Sequence, residues 1–153
     1  PMTEYPEKLQ EIIDDFGFIT DRTERSEYLI EIADRFDEVR VPPEISTAPH
    51  PQENHVQFCE SDAYVWAIDQ PDGTQRYYFD VLNPQGLSAM AMAVILGETL
   101  SGEPPRQVAT VPADIVFKIF GREIAMGKGQ GLMGIVSMVS HAARQRLENG
   151  SGA

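Results

Sequence analysis

Cys59 is the one side chain in this sequence suited to attack sulfur, and it sits in the stretch His55 to Trp66, HVQFCESDAYVW. Polar and carboxylate residues follow it at once, and the chain turns apolar at Tyr64-Val65-Trp66. A thiol reacts as its thiolate, so charge and access around it decide whether it does chemistry. Glu60 and Asp62 disfavour a neighbouring thiolate by like-charge repulsion. A reactive Cys59 therefore needs a positive partner from elsewhere. Lys128, in Gly127-Lys128-Gly129-Gln130-Gly131, is that partner if the run opens a helix, because cation and helix dipole both favour an anion there. His55 is placed to accept a proton near the thiol. Trp66, Tyr64 and Phe58 are expected as core or as a lining that keeps water away. Read from the residues alone, Cys59 is equally well a buried, inert thiol packing at a strand end.

Other chemistries fit less well. His50, His55 and Cys59 with Glu60 or Asp62 offer metal ligands, but a structural zinc site uses a second close cysteine or histidine pair. His141 lies far away in the chain, so no metal is expected. Gly-Lys-Gly-Gln-Gly lacks the spacing and the hydroxyl residue of a phosphate loop. A dithiol oxidoreductase needs a second cysteine, and there is none. A single-cysteine redox sensor and a binding module without sulfur chemistry stay open.

The elements that must position these residues follow from periodicity. Pro6 reads as a first helical position, with Leu9, Ile12, Ile13 and Phe16 at helical spacing and Gly17 as the stop. A second helix starts near Asp21, with Glu24 as capping-box partner and a stripe of Tyr28, Leu29, Ile32, Ala33 and Phe36. Pro42, Pro43, Pro49 and Pro51 predict an extended loop leading to Cys59. Runs 64–68 and 75–81, joined by Gln70-Pro71-Asp72-Gly73, predict a β-hairpin. Gly86 to Leu100 reads as a buried helix, ended by Ser101 to Pro105. A short helix runs from Pro112 to Gly121, and a last helix follows the glycine-rich lead-in. The class is α+β: a small antiparallel sheet with helices packed on one face.

With 153 residues the chain has the size of one domain, expected over 1–153 with an ordered core of about 5–148. Its 24 acidic against 12 basic residues give a net charge of -12, which argues against nucleic acid and anionic membranes. A lone cysteine, the absence of an apolar run of spanning length and a first stretch without signal-peptide character predict a cytoplasmic protein.

Certain residues, taken in order, resemble the SufE family of sulfur-transfer proteins. They are Pro51-Gln52, then Val56-Gln57-Phe58-Cys59-Glu60-Ser61, then Val65-Trp66, where the family has Cys-x-Ser followed by Val-Trp. Gly127-Lys128-Gly129-Gln130-Gly131-Leu132, with Met138 and Val139, resembles the family's Ser-Arg-x-Asn/Gln-Gly-Leu helix start. The chain departs from the pattern in four places. Phe58 replaces a usual glycine, two extra residues separate Cys59 from Val65-Trp66, Lys128 replaces an arginine, and Asn83-Pro84-Gln85 opens the third helix. The resemblance implies that Cys59 carries sulfur as a persulfide, with Lys128, Gln130, Gly131, His55, Asp62 and Trp66 completing its site. It implies a SufS-type cysteine desulfurase as donor, whose pyridoxal phosphate belongs to that partner, so no cofactor of this chain's own is expected. It implies delivery to a SufBCD-type iron–sulfur scaffold, an accessory role rather than that of an independent enzyme, and a possible homodimer. The family fold is shared by IscU-type scaffolds, although this chain lacks the three cysteines a scaffold needs.

Overall fold

The computed structural model describes residues 5–150. Helix α1 (Glu7–Gly17) and helix α2 (Arg22–Ala33) come first. Pro6 lies just outside α1, its carbonyl accepting from the amides of Leu9 (3.0 Å) and Gln10 (3.1 Å). Leu9, Ile13 and Phe16 form the buried stripe expected of α1. The Asp21 carboxylate accepts from the Thr23 N–H (3.2 Å) and so caps α2. Phe36 falls beyond the helix end, in a 3-10 turn (Phe36–Glu38), and is still buried.

Strands β1 (Ala63–Asp69) and β2 (Gln75–Val81) form a two-stranded antiparallel sheet with Trp66 opposite Tyr78 and Tyr64 opposite Asp80. The turn between them closes where the Gly73 N–H donates to the Gln70 carbonyl (3.0 Å) and Gly73 takes φ 91°. Alternation then gives the sheet two different faces. Ala63, Val65, Tyr77, Phe79 and Val81 face the hydrophobic core. Helix α3 (Leu87–Leu100) runs through that core, with Ala91, Met92, Val94 and Leu96 fully buried. Helix α6 (Met126–Gly150) packs beside it against β1. The predicted α+β arrangement, helices on one face of a small antiparallel sheet, is the one observed.

The opposite face of the sheet is covered by the proline-rich segment. It starts by adding to the edge of β2: the Val41 N–H donates to the Phe79 carbonyl (2.8 Å), and the Phe79 N–H to the Val39 carbonyl (2.9 Å). Its His50 side chain is almost fully buried between Ser46 Oγ on Nδ1 (2.7 Å) and Asp80 Oδ2 on Nε2 (2.7 Å). Arg40 holds the other carboxylate oxygen of Asp80 at 3.1 Å. Trp66 and Tyr64 flank the His50 ring, at 4.8 and 5.0 Å between centroids. The extended loop read from the prolines is thus a docked layer, with one short 3-10 turn (Gln52–Asn54).

Three boundaries differ from expectation. Pro105 opens a one-turn helix, α4 (Pro105–Val108), where a terminator was expected; proline suits a first helical position as well as a stop. Helix α5 (Ile115–Phe120) starts after a turn at Pro112. Helix α6 begins at Met126, so Gly127 to Gly131 lie inside it rather than leading into it. Their low helix propensity is overridden by packing: Gly129 and Gly131 are buried.

Candidate functional site

Cys59 lies at the tip of a loop closed at its base by the Val56 N–H donating to the Ala63 carbonyl (2.9 Å). Inside the loop, the Asp62 N–H donates to the Cys59 carbonyl (3.1 Å). Phe58 and Asp62, on either side, take left-handed conformations with φ 60° and 56°. For a residue with a Cβ this costs about 1–2 kcal/mol each, so other contacts must hold the loop. They come from the segment after β2: the Leu82 N–H donates to the Asp62 carbonyl (3.1 Å), and the Asn83 N–H to the Ser61 carbonyl (3.2 Å). Gly86 packs on Ser61, where an added Cβ would lie 2.9 Å from the Ser61 Cβ.

Helix α6 supplies the other wall. A Cβ on Gly131 would lie 3.0 Å from the Cys59 Cα and 3.3 Å from its Sγ. One turn on, a Cβ on Gly134 would lie 2.9 Å from Val56. Only bare backbone permits this approach. The thiol is left partly exposed, neither buried in the core nor free on all sides.

The neighbouring charges are arranged differently from the sequence expectation. Asp62 does not face the thiol unopposed: His55 Nε2 meets its Oδ1 at 2.8 Å. His55 leans on the Tyr64 ring, 4.8 Å between centroids, and its Nδ1 meets Gln52 Nε2 at 3.4 Å, so its contacts are with Asp62, Tyr64 and Gln52. Tyr64 holds its phenol proton more tightly than usual, through burial and then through the carboxylates of Asp62 and Asp80. Glu60 is exposed.

Among the other predicted residues, Gly131 touches Cys59, and Gln130 beside it is exposed. Lys128 is exposed in the first turn of α6, three residues before Gly131 on the same helix. The expected helix start at Cys59 is corrected. Because α6 begins at Met126, the thiol packs more than a turn inside it, where the dipole contributes little. Lys128 instead lines a groove of about 710 Å³ with Arg22, Arg25 and Arg122. Trp66 is separated from the thiol. It is buried on the sheet face away from the core, against His50, because strand alternation points it opposite to Val65. Sequence reasoning missed the Leu82–Asn83 brace, which is made through backbone groups and leaves no side-chain signature. It also missed the outward position of Phe58, 73% exposed.

Among the described residues, no group of three or more His, Cys, Asp and Glu is placed to hold a metal ion. His50 and His55 face Asp80 and Asp62 rather than Cys59. No helix of the described residues is long and apolar enough to cross a membrane.

The site is thus a lone thiol on a braced loop, set against a glycine face of a long helix. The family described as the SufE Fe-S metabolism associated domain matches residues 10–143. The chain belongs to the SufE family. Two SufE relatives are uncharacterized SufE-like proteins of Rhizobium etli and Rhizobium meliloti. The first is 26% identical over 144 residues, covering 90% of each chain; the second is 27% identical over 148 residues, covering 91% of this chain and 96% of the relative. The solution structure of a hypothetical protein from Thermus thermophilus superposes with a TM-score of 0.70 at 26% identity. It covers 95% of this chain and 99% of that one. The description of the family associates its domain with iron–sulfur metabolism.

Proposed function

We propose that this SufE-family chain is a sulfur acceptor that takes sulfane sulfur from a SufS-type cysteine desulfurase onto Cys59. The Cys59 thiolate attacks the outer sulfur of the donor's cysteine persulfide. A new S–S bond forms on Cys59, the donor's S–S bond breaks, and the donor cysteine leaves as a thiolate. The pyridoxal phosphate that releases sulfur from cysteine stays with the donor. Removal of its product turns the desulfurase over faster. The loaded chain passes the sulfur to a SufBCD-type scaffold in a reducing cytoplasm.

The observation that carries this reading is the placing of the only cysteine, partly exposed at the tip of a loop braced on both sides. A thiol that must enter another protein's site gains from such a position. One cysteine suffices, since the second sulfur is the partner's. The test is intact mass after incubation with desulfurase and cysteine. The expected result is the mass of one added sulfur atom, lost on reduction and absent in Cys59→Ser. An unchanged mass rules the reading out. Undiminished desulfurase stimulation by Cys59→Ser would show a binding module instead.

A further inference from the structure

Phe58 has no role inside the fold. It is 73% exposed, does not pack against the core cluster, and takes φ 60°, a conformation that glycine adopts without strain. An exposed ring held in a strained conformation points from backbone outlier to function. It also adjoins the nucleophile directly. Two further half-exposed apolar residues, Leu82 and Leu87, each 41% exposed, come from the segment that braces the same loop. Leu82 donates its N–H to Asp62, and Leu87 follows Gly86, which packs on Ser61. Aromatic side chains surrounded by lesser apolar contacts are the usual anchors of protein interfaces.

We infer that Phe58 is the anchor by which this chain docks on the protein that presents sulfur to Cys59; this rests on the sulfur-acceptor reading above. Helix α6 closes one side of the thiol at Gly131, so a donor must approach past the exposed loop, in which Phe58 directly adjoins Cys59. The partner that fits has an apolar recess beside its persulfide cysteine, wide enough for a phenyl ring. Its rim is basic, matching the exposed Glu60 next to Cys59 and this chain's net charge of -12. Phe58 acts by positioning: it fixes the thiol's approach and takes no part in bond making.

The experiment compares wild type, Phe58→Gly and Phe58→Trp. Glycine suits the local φ, so Phe58→Gly keeps the fold, checked by its melting temperature. Titration calorimetry against the desulfurase should show binding weakened about 10- to 50-fold in Phe58→Gly and within about threefold of wild type in Phe58→Trp. A small-molecule persulfide, glutathione persulfide, should load Cys59 of all three equally. Equal desulfurase binding by wild type and Phe58→Gly overturns the anchor while leaving sulfur acceptance intact. So does equal slowing of Phe58→Gly toward both donors, which would mean that the ring shapes the thiol itself. Failure of wild type to load from the desulfurase overturns the acceptor reading, and the anchor with it.

Discussion

Replacing Gly131 by alanine would put one methyl group between helix α6 and the cysteine loop. Its carbon would lie 3.0 Å from the Cys59 Cα and 3.3 Å from Cβ and Sγ. Carbon atoms in contact prefer about 3.5–4.0 Å, so the loop must move outward by about 0.5–1 Å. Alanine improves helix propensity by about 1 kcal/mol, while overpacking costs about 1–3 kcal/mol. The net destabilisation is then about 0–2 kcal/mol, a fall in melting temperature of at most about 8 °C for a domain of this size. The effect on chemistry is larger, because a misplacement of about 1 Å costs roughly 10²-fold in a positioned reaction. Persulfide uptake from the desulfurase should fall about 10- to 100-fold. Alkylation by iodoacetamide should instead rise severalfold, since a loop lifted from the helix exposes Sγ. Gly127→Ala is the control: its Cβ would meet nothing within 4 Å, and both rates should stay at wild type. Wild-type values of both rates in Gly131→Ala would refute the idea that the helix sets the thiol's position.

Three other perturbations probe the frame around the site. His50→Ala removes one partner of a buried pair and leaves Asp80 held only through Oδ1, by Arg40 and the Val81 N–H; urea unfolding should show a loss of about 2–3 kcal/mol. Gly97→Ala drives a Cβ to 2.6 Å from Val39 Cγ1, so it should cost about 1–3 kcal/mol. Combined with Val39→Ala it should cost less than the sum of the two changes, which a double-mutant cycle measures. The Tyr77 phenol, buried and donating to Gln75 Oε1 at 2.9 Å, keeps its proton well above the usual value of 10.0, chiefly through burial. Folded and unfolded chains both carry that proton below about pH 10, so its contribution is constant there. Above it the unfolded chain ionises first, and stability should fall by up to about 1.4 kcal/mol per pH unit. Unfolding measured from about pH 9 to 11 should show a shallower fall for Tyr77→Phe; Tyr28 and Tyr64, shifted the same way, maintain part of the slope.

What the sequence disclosed and what it hid divide along a physical line. The hairpin was legible because Pro71, Asp72 and Gly73 determine the turn locally, and α3 because an all-apolar helix must be buried. Cys59 and Gly131 were both named, yet the reason that they meet was not. The glycine run reads as a loop from propensity, whereas a close helix–loop contact keeps it helical. Trp66, expected as core or as a lining, is buried, but strand alternation turns it to the sheet face away from the main core. His50 and Asp80, thirty residues apart, pair through tertiary folding that no local pattern announces. An aromatic such as Phe58 reads as core until its backbone conformation is known.

The two walls of the thiol are 72 residues apart, at 59 and 131. A ribosome adding about 5–20 residues per second delivers Gly131 some 4–14 s after Cys59. During that interval the emerging chain carries Cys59 without the helix that packs against it. Until α6 is made, Cys59 lacks the wall at Gly131 that closes one side of its side chain. Under the sulfur-acceptor reading, the long helix α6 therefore sets the moment at which approach to the thiol is restricted, and a chain halted before it would retain the thiol without that wall.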